Sequence, residues 1–182
     1  MSVRTATCAC GGVVLEMTGP PIVTATCYCT SCRTAGQRLA TLPGAAPIVE
    51  ADGGTEYLVC RKDRMRCLQG AGALRAHRLT PASRTRRVVA NCCNTAMFAE
   101  FTGGHWLSLY RRCFPVGQRP PVAMRVMTGD RLPGVEFADT LPSHAAQSGS
   151  FMWRLLLAWA AMGFRRPRID YVTGTIEAPP QG

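Results

Sequence analysis

The chain has 182 residues, a formal net charge of +10 and a hydrophobic fraction of 47%. This length and composition are typical of one globular domain and exclude a collagen-like or low-complexity chain. The positive charge comes almost entirely from dispersed arginines, because Lys62 is the only lysine. Without runs of like charge or interleaved aromatic residues, we expect no nucleic-acid partner, and the positive field favours small anionic ligands instead.

Short strands separated by glycine and proline turns are predicted over the first 110 residues. The predicted strands are 13–17, 22–26, 56–60, 73–79, 87–90, 97–101 and 106–110. Strands of this length and spacing predict a mainly β fold, in which several short strands form a sheet assembly.

The segment 111–182 predicts a loop-rich extension that packs on the first domain, with a short strand near 122–127 and one helix at 150–163. Ser148 or Ser150 caps the start of this helix and Gly163 marks its end. The helix is apolar nearly all round but too short to span a membrane, which takes about 20 residues. We expect a buried helix or a homo-oligomer contact, and a membrane-surface anchor is the alternative.

Seven of the ten cysteines form three tight groups in the sequence. These groups are Cys8 with Cys10, then Cys27, Cys29 and Cys32, and finally Cys92 with Cys93. Thiolates at such spacing meet the tetrahedral geometry of Zn²⁺, with bonds of about 2.3 Å, whereas a disulfide is hard to close within one turn. The amino-terminal residues carry no signal-peptide pattern, so we expect a reducing, cytoplasmic location where clustered cysteines bind metal.

Counting ligands divides the cysteines into two sites and predicts one or two Zn²⁺ ions per chain. The four-cysteine cluster (Cys8, Cys10, Cys92 and Cys93) supplies the ligands of a closed, structural zinc. The three-cysteine cluster (Cys27, Cys29 and Cys32) leaves a fourth position for water or an incoming thiol, as catalytic zinc sites do. How Cys92 and Cys93 are divided between metals stays open, as does a purely structural role for both clusters.

The two amino-terminal motifs resemble those of the glutathione-dependent formaldehyde-activating enzymes. The resemblance rests on Cys8-x-Cys10-Gly11-x-Val13 and on Cys27-x-Cys29-x-x-Cys32-Arg33. Gly54, Tyr57 and Arg87 follow in the order of that family, over roughly residues 5–110. The resemblance implies a β-tent fold over residues 1–110 that binds zinc. It also implies carbon–sulfur lyase activity on a glutathione adduct, with the three-cysteine cluster nearer the substrate.

The late motif differs from the family pattern Phe-Cys-x-x-Cys-Gly-Thr/Ser. Ala90 stands where the first cysteine is expected, and Asn94 replaces the glycine, which is tolerable because asparagine also adopts positive φ. We expect Cys92 to supply the missing ligand, in a Cys-Cys-x-Thr version that resembles a bacterial branch of the superfamily. Tyr28 occupies a position where the family usually has histidine.

The sequence favours an enzyme that acts on a small thiol or thiol adduct, such as glutathione, with zinc holding the sulfur. Arg33, next to Cys32, is a candidate to hydrogen-bond a thiolate or the carboxylate of such a ligand. Two alternatives remain: a non-catalytic binding module with structural zinc, and a redox- or metal-responsive protein in which the Cys92–Cys93 pair is oxidised.

Overall fold

The mainly β fold is confirmed by the computed structural model, which describes residues 2–178. The last four residues of the predicted extension lie outside this range. The strands are β1 (Val3–Thr7), β2 (Val14–Thr18), β3 (Val23–Cys27), β4 (Thr55–Arg61), β5 (Met65–Gln69), β6 (Leu74–His77), β7 (Thr85–Ala90), β8 (Thr95–Phe101), β9 (Trp106–Tyr110) and β10 (Met124–Val126). The helices are α1 (Thr30–Ala40) and α2 (Gly149–Ala160).

The strands form a small sheet and a large sheet. The small sheet has three antiparallel strands in the order β1-β2-β5. The large sheet has seven strands in the order β10-β3-β4-β9-β8-β7-β6, and only the β10–β3 pair is parallel. The chain passes from the large sheet to the small one where β4 continues through a single helical turn into β5. Strand ends and turns of the small sheet therefore lie close to those of the large sheet.

The two sheets share one hydrophobic core. Leu15 and Met17 from the small sheet belong to the same buried cluster as Leu58, Phe98 and Leu109 from the large sheet. All five side chains are almost completely shielded from solvent. Full burial of such a side chain contributes about 1.5–3 kcal/mol, so this shared core holds in place the turns that carry the cysteines.

Sequence patterns located most strands but missed β1, β5 and α1. Helix α1 lacks a regular apolar stripe, since its sequence is Thr-Ser-Cys-Arg-Thr-Ala-Gly-Gln-Arg-Leu-Ala. It forms because Cys29 caps its start, and it packs through small residues. A Cβ atom added to Gly36 would lie 2.3 Å from Val49 Cγ2, so only glycine allows the helix to lie this close to the following loop.

Helix α2 is anchored on one face and exposed on the other. The Ser148 hydroxyl caps it by accepting a hydrogen bond from Phe151 N at 2.9 Å, as predicted, and Phe151 and Leu155 are buried. The helix ends at Ala160, earlier than predicted. Its exposed apolar side chains are Met152, Trp153, Leu156 and Leu157. The expected burial therefore applies to one face only, and an oligomer contact through the helix stays a prediction.

In residues 2–178, no helix has the length and apolar character needed to cross a membrane.

Candidate metal centres

The four-cysteine cluster lies where a turn of the small sheet meets a turn of the large sheet. Cys8 and Cys10 follow β1, and Cys92 and Cys93 form the turn between β7 and β8. The sulfur of Cys10 lies 3.3 Å from that of Cys92 and 3.6 Å from that of Cys8. Cys92 Sγ is also 3.9 Å from Cys8 Sγ and from Cys93 Sγ, and all four sulfurs lie within 4.8 Å of one another.

These distances fit a tetrahedral zinc site. Four Zn–S bonds of about 2.3 Å place the sulfurs about 3.8 Å apart. Nearby donors support anionic sulfur: Val13 N donates to Cys8 Sγ at 3.2 Å, and Thr95 Oγ1 lies 3.1 Å from Cys93 Sγ. Burial opposes ionisation of Cys93, but hydrogen bonds from Thr95 and from the Cys10 backbone lower its pKa to about 6. The cluster can therefore hold a metal ion.

The three-cysteine cluster lies where β3 ends and α1 begins. Cys27 is the last residue of β3, Cys29 caps α1, and Cys32 lies in the first turn of the helix. Cys32 Sγ is 3.8 Å from Cys27 Sγ, and the three sulfurs lie within 4.8 Å of one another. In residues 2–178, no additional Cys, His, Asp or Glu joins this group. The spacing fits three corners of a zinc tetrahedron.

The helix start and neighbouring donors favour negative charge at this cluster. Cys32 N donates to Cys29 Sγ at 3.4 Å, and the positive end of the helix dipole points the same way. Hydrogen bonds from Cys27 and Cys32 lower the pKa of the Cys29 thiol to about 2. The pKa of Cys27 is raised in return, first because of its hydrogen bond with Cys29 and then because of Cys32 and burial. The surroundings thus favour the thiolate form of Cys29.

A cavity of about 200 Å³ adjoins the three-cysteine cluster. All three cysteines line it, together with Tyr57, Arg87 and the aromatic rings of Phe101, Trp106 and Phe151. The ring of Phe151 comes from α2, so the carboxyl-terminal segment closes one side of the cavity. A small molecule here would reach the sulfurs while lying partly against the aromatic rings and partly open to solvent.

Arg33 and Tyr28 lie close to the cluster but bond to other groups. Arg33 Nη1 donates to the backbone oxygens of Tyr28 and Asp130, at 3.3 and 3.0 Å. Arg33 is not among the residues that line the cavity, and its predicted contact with a thiolate or carboxylate stays a prediction. Tyr28 is buried and donates its hydroxyl hydrogen to Asp52 Oδ2 at 2.6 Å. Burial, followed by this hydrogen bond, raises the Tyr28 pKa.

Two residues of the cavity received no chemical role from sequence reasoning. Tyr57, on β4, donates its hydroxyl hydrogen to Cys32 Sγ at 3.5 Å. Arg87, on β7, is 2% exposed and donates from Nη2 to Ser31 O at 3.0 Å. For Arg87, the sequence did contain a usable sign, because this arginine stands immediately before the apolar run 88–90 in a predicted strand.

The profile of the family described as "Glutathione-dependent formaldehyde-activating enzyme" matches residues 3–109, more than half of the chain. The chain belongs to this family. The match includes both cysteine clusters and every strand of the two sheets except β10 and the last residue of β9.

The divergent late motif of this family member keeps four sulfurs together. Ala90, at the position of the expected cysteine, is fully buried and pairs with Thr95 across β7 and β8. Cys92, two residues later, places its sulfur beside Cys10 instead. Asn94 has a φ of 54°, the positive value that its replacement of glycine requires. The turn of this chain therefore brings Cys92, rather than residue 90, to the other sulfurs of the cluster.

Comparison with individual proteins adds little to the family assignment. No curated protein matches the chain. A crystal structure of a Rhodobacter sphaeroides protein is similar at 16% identity and a TM-score of 0.43, covering 77% of this chain and 98% of that one.

Proposed function

We propose that this family member is a zinc-dependent, carbon–sulfur lyase-like enzyme that acts on a glutathione or other thiol adduct of a small aldehyde. One observation carries the proposal. Three cysteine sulfurs, with no further Cys, His, Asp or Glu ligand in residues 2–178, line a cavity of about 200 Å³. Three protein ligands and one open position are the arrangement of a catalytic rather than a structural zinc.

Each cluster has a separate task in this proposal. The four-cysteine cluster holds a structural zinc that joins the turns of the two sheets, and the three-cysteine cluster holds a second zinc beside the cavity. A bound zinc supplies Lewis acidity and keeps a coordinated thiol deprotonated. Residues 1–110 carry the family domain, and 111–182 form an extension packed on it. The cytoplasm, where free thiols are abundant and reduced, is the proposed location.

The chain's own residues prepare the reacting sulfur. The start of α1 and the Cys32 amide favour negative charge at the cluster, and Tyr57 orients Cys32 through its hydroxyl group. Adduct formation joins the thiolate sulfur to the aldehyde carbon, moves the C=O π electrons to oxygen and adds a proton there. Lysis reverses these changes. The aromatic rings of Phe101, Trp106 and Phe151 cover part of the cavity and so reduce the access of water to the carbonyl carbon.

Calorimetry with zinc-loaded protein tests the open site. Reduced glutathione and simple thiols should bind the wild type and the Cys67→Ser control, since Cys67 lies on β5 outside both clusters. Binding should disappear in Cys29→Ser, which removes a ligand of the three-cysteine cluster. If no thiol binds at millimolar concentration, the binding-module alternative with purely structural zinc replaces the proposal.

A redox-responsive role is the second candidate, and one contact favours it. The sequence pointed to the Cys92–Cys93 pair, whose sulfurs are 3.9 Å apart. The shorter contact joins Cys92 to Cys10, both exposed, at 3.3 Å. Hydrogen peroxide would accept two electrons from two such thiols, yielding a disulfide and two molecules of water. Peptide mass spectrometry after mild peroxide treatment should then find a reversible disulfide together with zinc release. Retention of zinc and of free thiols would exclude this role.

A further inference from the structure

Arg87 is a buried charge with unused hydrogen-bond donors. Its side chain is 2% exposed, and Nη2 donates to Ser31 O at 3.0 Å. Nε and Nη1 are buried as well and have no hydrogen-bond partner in residues 2–178. Buried guanidinium groups are almost always paired, because desolvating a charge without a partner is costly. The free donors of Arg87 therefore indicate a bound group that accepts hydrogen bonds.

The position of Arg87 places this group beside the three-cysteine cluster. Arg87 forms part of the wall of the same 200 Å³ cavity as Cys27, Cys29 and Cys32. Its contact residue, Ser31, lies between Cys29 and Cys32 in the cluster's own turn. A ligand in the cavity would therefore lie beside both the cluster and the Arg87 side chain, whose Nε and Nη1 have no hydrogen-bond partner among the described residues.

Apart from the three cysteine sulfurs, which a bound metal would engage, the polar groups of the cavity carry no negative charge. Thr85, Ser108 and Gln147 line it, and no aspartate or glutamate does so among the described residues. Arginine matches the planar geometry of a carboxylate better than that of any neutral group. A carboxylate is consequently the best partner for the free N–H groups of Arg87.

The size of the cavity restricts the rest of the ligand. Pockets that enclose drug-sized molecules measure about 300–1,000 Å³, and this one has only about 200 Å³. The rings of Phe101, Trp106 and Phe151 favour a short apolar spacer between the two ends of the ligand. A tripeptide would extend beyond the cavity, whereas a thiol with two or three carbon atoms would fit inside it.

We propose that the substrate of this site is the adduct of a compact thiol that carries a carboxylate, and that Arg87 binds this carboxylate while the sulfur lies at the three-cysteine cluster. The inference rests on the proposed function and narrows its substrate class. Arg87 is then the residue that selects anionic over neutral thiols.

Calorimetry on the zinc-loaded full chain tests the proposal with 3-mercaptopropionate, its uncharged amide and reduced glutathione as probes. The acid should bind the wild type at least about tenfold more tightly than the amide, as expected for a charge-assisted hydrogen bond in a shielded site. The acid should also bind more tightly than glutathione. Equal affinity for acid and amide overturns the role of Arg87 but leaves the proposed function intact. Absence of binding by all three thiols overturns both.

Variants show whether Arg87 is the selecting residue. Arg87→Gln should abolish the preference for the acid, and Arg87→Lys should retain part of it. The matched control is Arg86→Gln, because Arg86 pairs with Glu100 and does not line the cavity. Circular dichroism and zinc content are measured for each variant.

Three results contradict the assignment of this role to Arg87. One is an Arg87→Gln variant that binds less zinc but whose zinc-loaded fraction still prefers the acid to the amide. Arg87 would then only balance the charge of the thiolates. Another is loss of the preference in the Arg86→Gln control. If Arg87→Gln does not fold, the test rests on Arg87→Lys and on the ratio of acid affinity to amide affinity in the wild type. The third contradicting result is an Arg87→Lys variant whose acid affinity and acid preference equal those of the wild type.

Discussion

The two cysteine clusters contain the same ligand type but differ in how the chain brings the ligands together. In the four-cysteine cluster, Cys10 and Cys92 are separated by 82 residues and lie on turns of different sheets. In the three-cysteine cluster, all ligands lie within six residues at one strand end and one helix start. Ligands that are distant in sequence link metal binding to folding. Ligands from one turn can bind a metal without linking distant strands.

The largest expected effect separates the clusters by their contribution to stability. Cys10→Ser should lower the free energy of unfolding by about 4 kcal/mol or more, because loss of a structural metal is among the most destabilising changes known. Cys29→Ser should cost far less, since its cluster joins no distant strands. Urea unfolding with zinc present, followed by tryptophan fluorescence, measures both, with Cys67→Ser as the control. Equal losses for Cys10→Ser and Cys29→Ser would contradict the division of tasks.

A smaller effect is expected at the turn that carries the late pair. Asn94 has a φ of 54° and donates from Nδ2 to Pro43 O at 3.0 Å. Asn94→Ala should lower the free energy of unfolding by about 1–2 kcal/mol, because alanine is strained in the left-handed region. Asn94→Gly also loses the hydrogen bond to Pro43 O but avoids this strain, so it should be more stable than Asn94→Ala. Thermal unfolding compares the two, and an alanine variant as stable as the glycine variant would rule out a conformational requirement at the turn.

Tyr28 tests whether the residue inside the three-cysteine motif has a structural role. Tyr28→Phe removes the hydrogen bond to Asp52 Oδ2, which should cost about 1 kcal/mol. Thiol affinity should not change, because the hydroxyl group points to Asp52 and Tyr28 does not line the cavity. Thermal unfolding and calorimetry are the two measurements. A large loss of thiol affinity at unchanged stability would instead assign Tyr28 a place in the chemistry.

The smallest expected effect is a pH dependence of the free energy of unfolding that arises from His105, which contacts helix α2. Burial lowers the pKa of His105, whose Nε2 lies 2.9 Å from Leu155 O in α2. Below about pH 6.5, His105 binds a proton more readily in the unfolded chain than in the folded one. Its contribution to the free energy of unfolding is therefore complete above this pH and decreases as the pH falls. Urea unfolding between about pH 7.5 and about pH 5.5 should show a steeper decrease for the wild type than for His105→Gln. Parallel decreases would exclude His105 as a cause.

Local sequence patterns predicted most strands of the large sheet and identified all seven clustered cysteines as candidate metal ligands. Strands such as β8 and β9 alternate or concentrate apolar residues between glycine turns, which is a local signal. Helix α1 gave no such signal, because it depends on the cap at Cys29 and on close packing of Gly36 against Val49. Strand β1 was missed because it is short and half-polar, and it is stabilised by pairing with β2.

By itself, the sequence determined the mainly β class, the family and the cysteine spacing, because these depend on residue type and near neighbours. Only the tertiary structure decided how closely the sulfurs of Cys10 and Cys92 approach, that α2 buries one face and lines the cavity, and that Arg87 lies buried next to the three-cysteine cluster. Each of these depends on contacts between segments far apart in the chain. Such contacts form only when the shared core fixes the two sheets, and no local pattern encodes them.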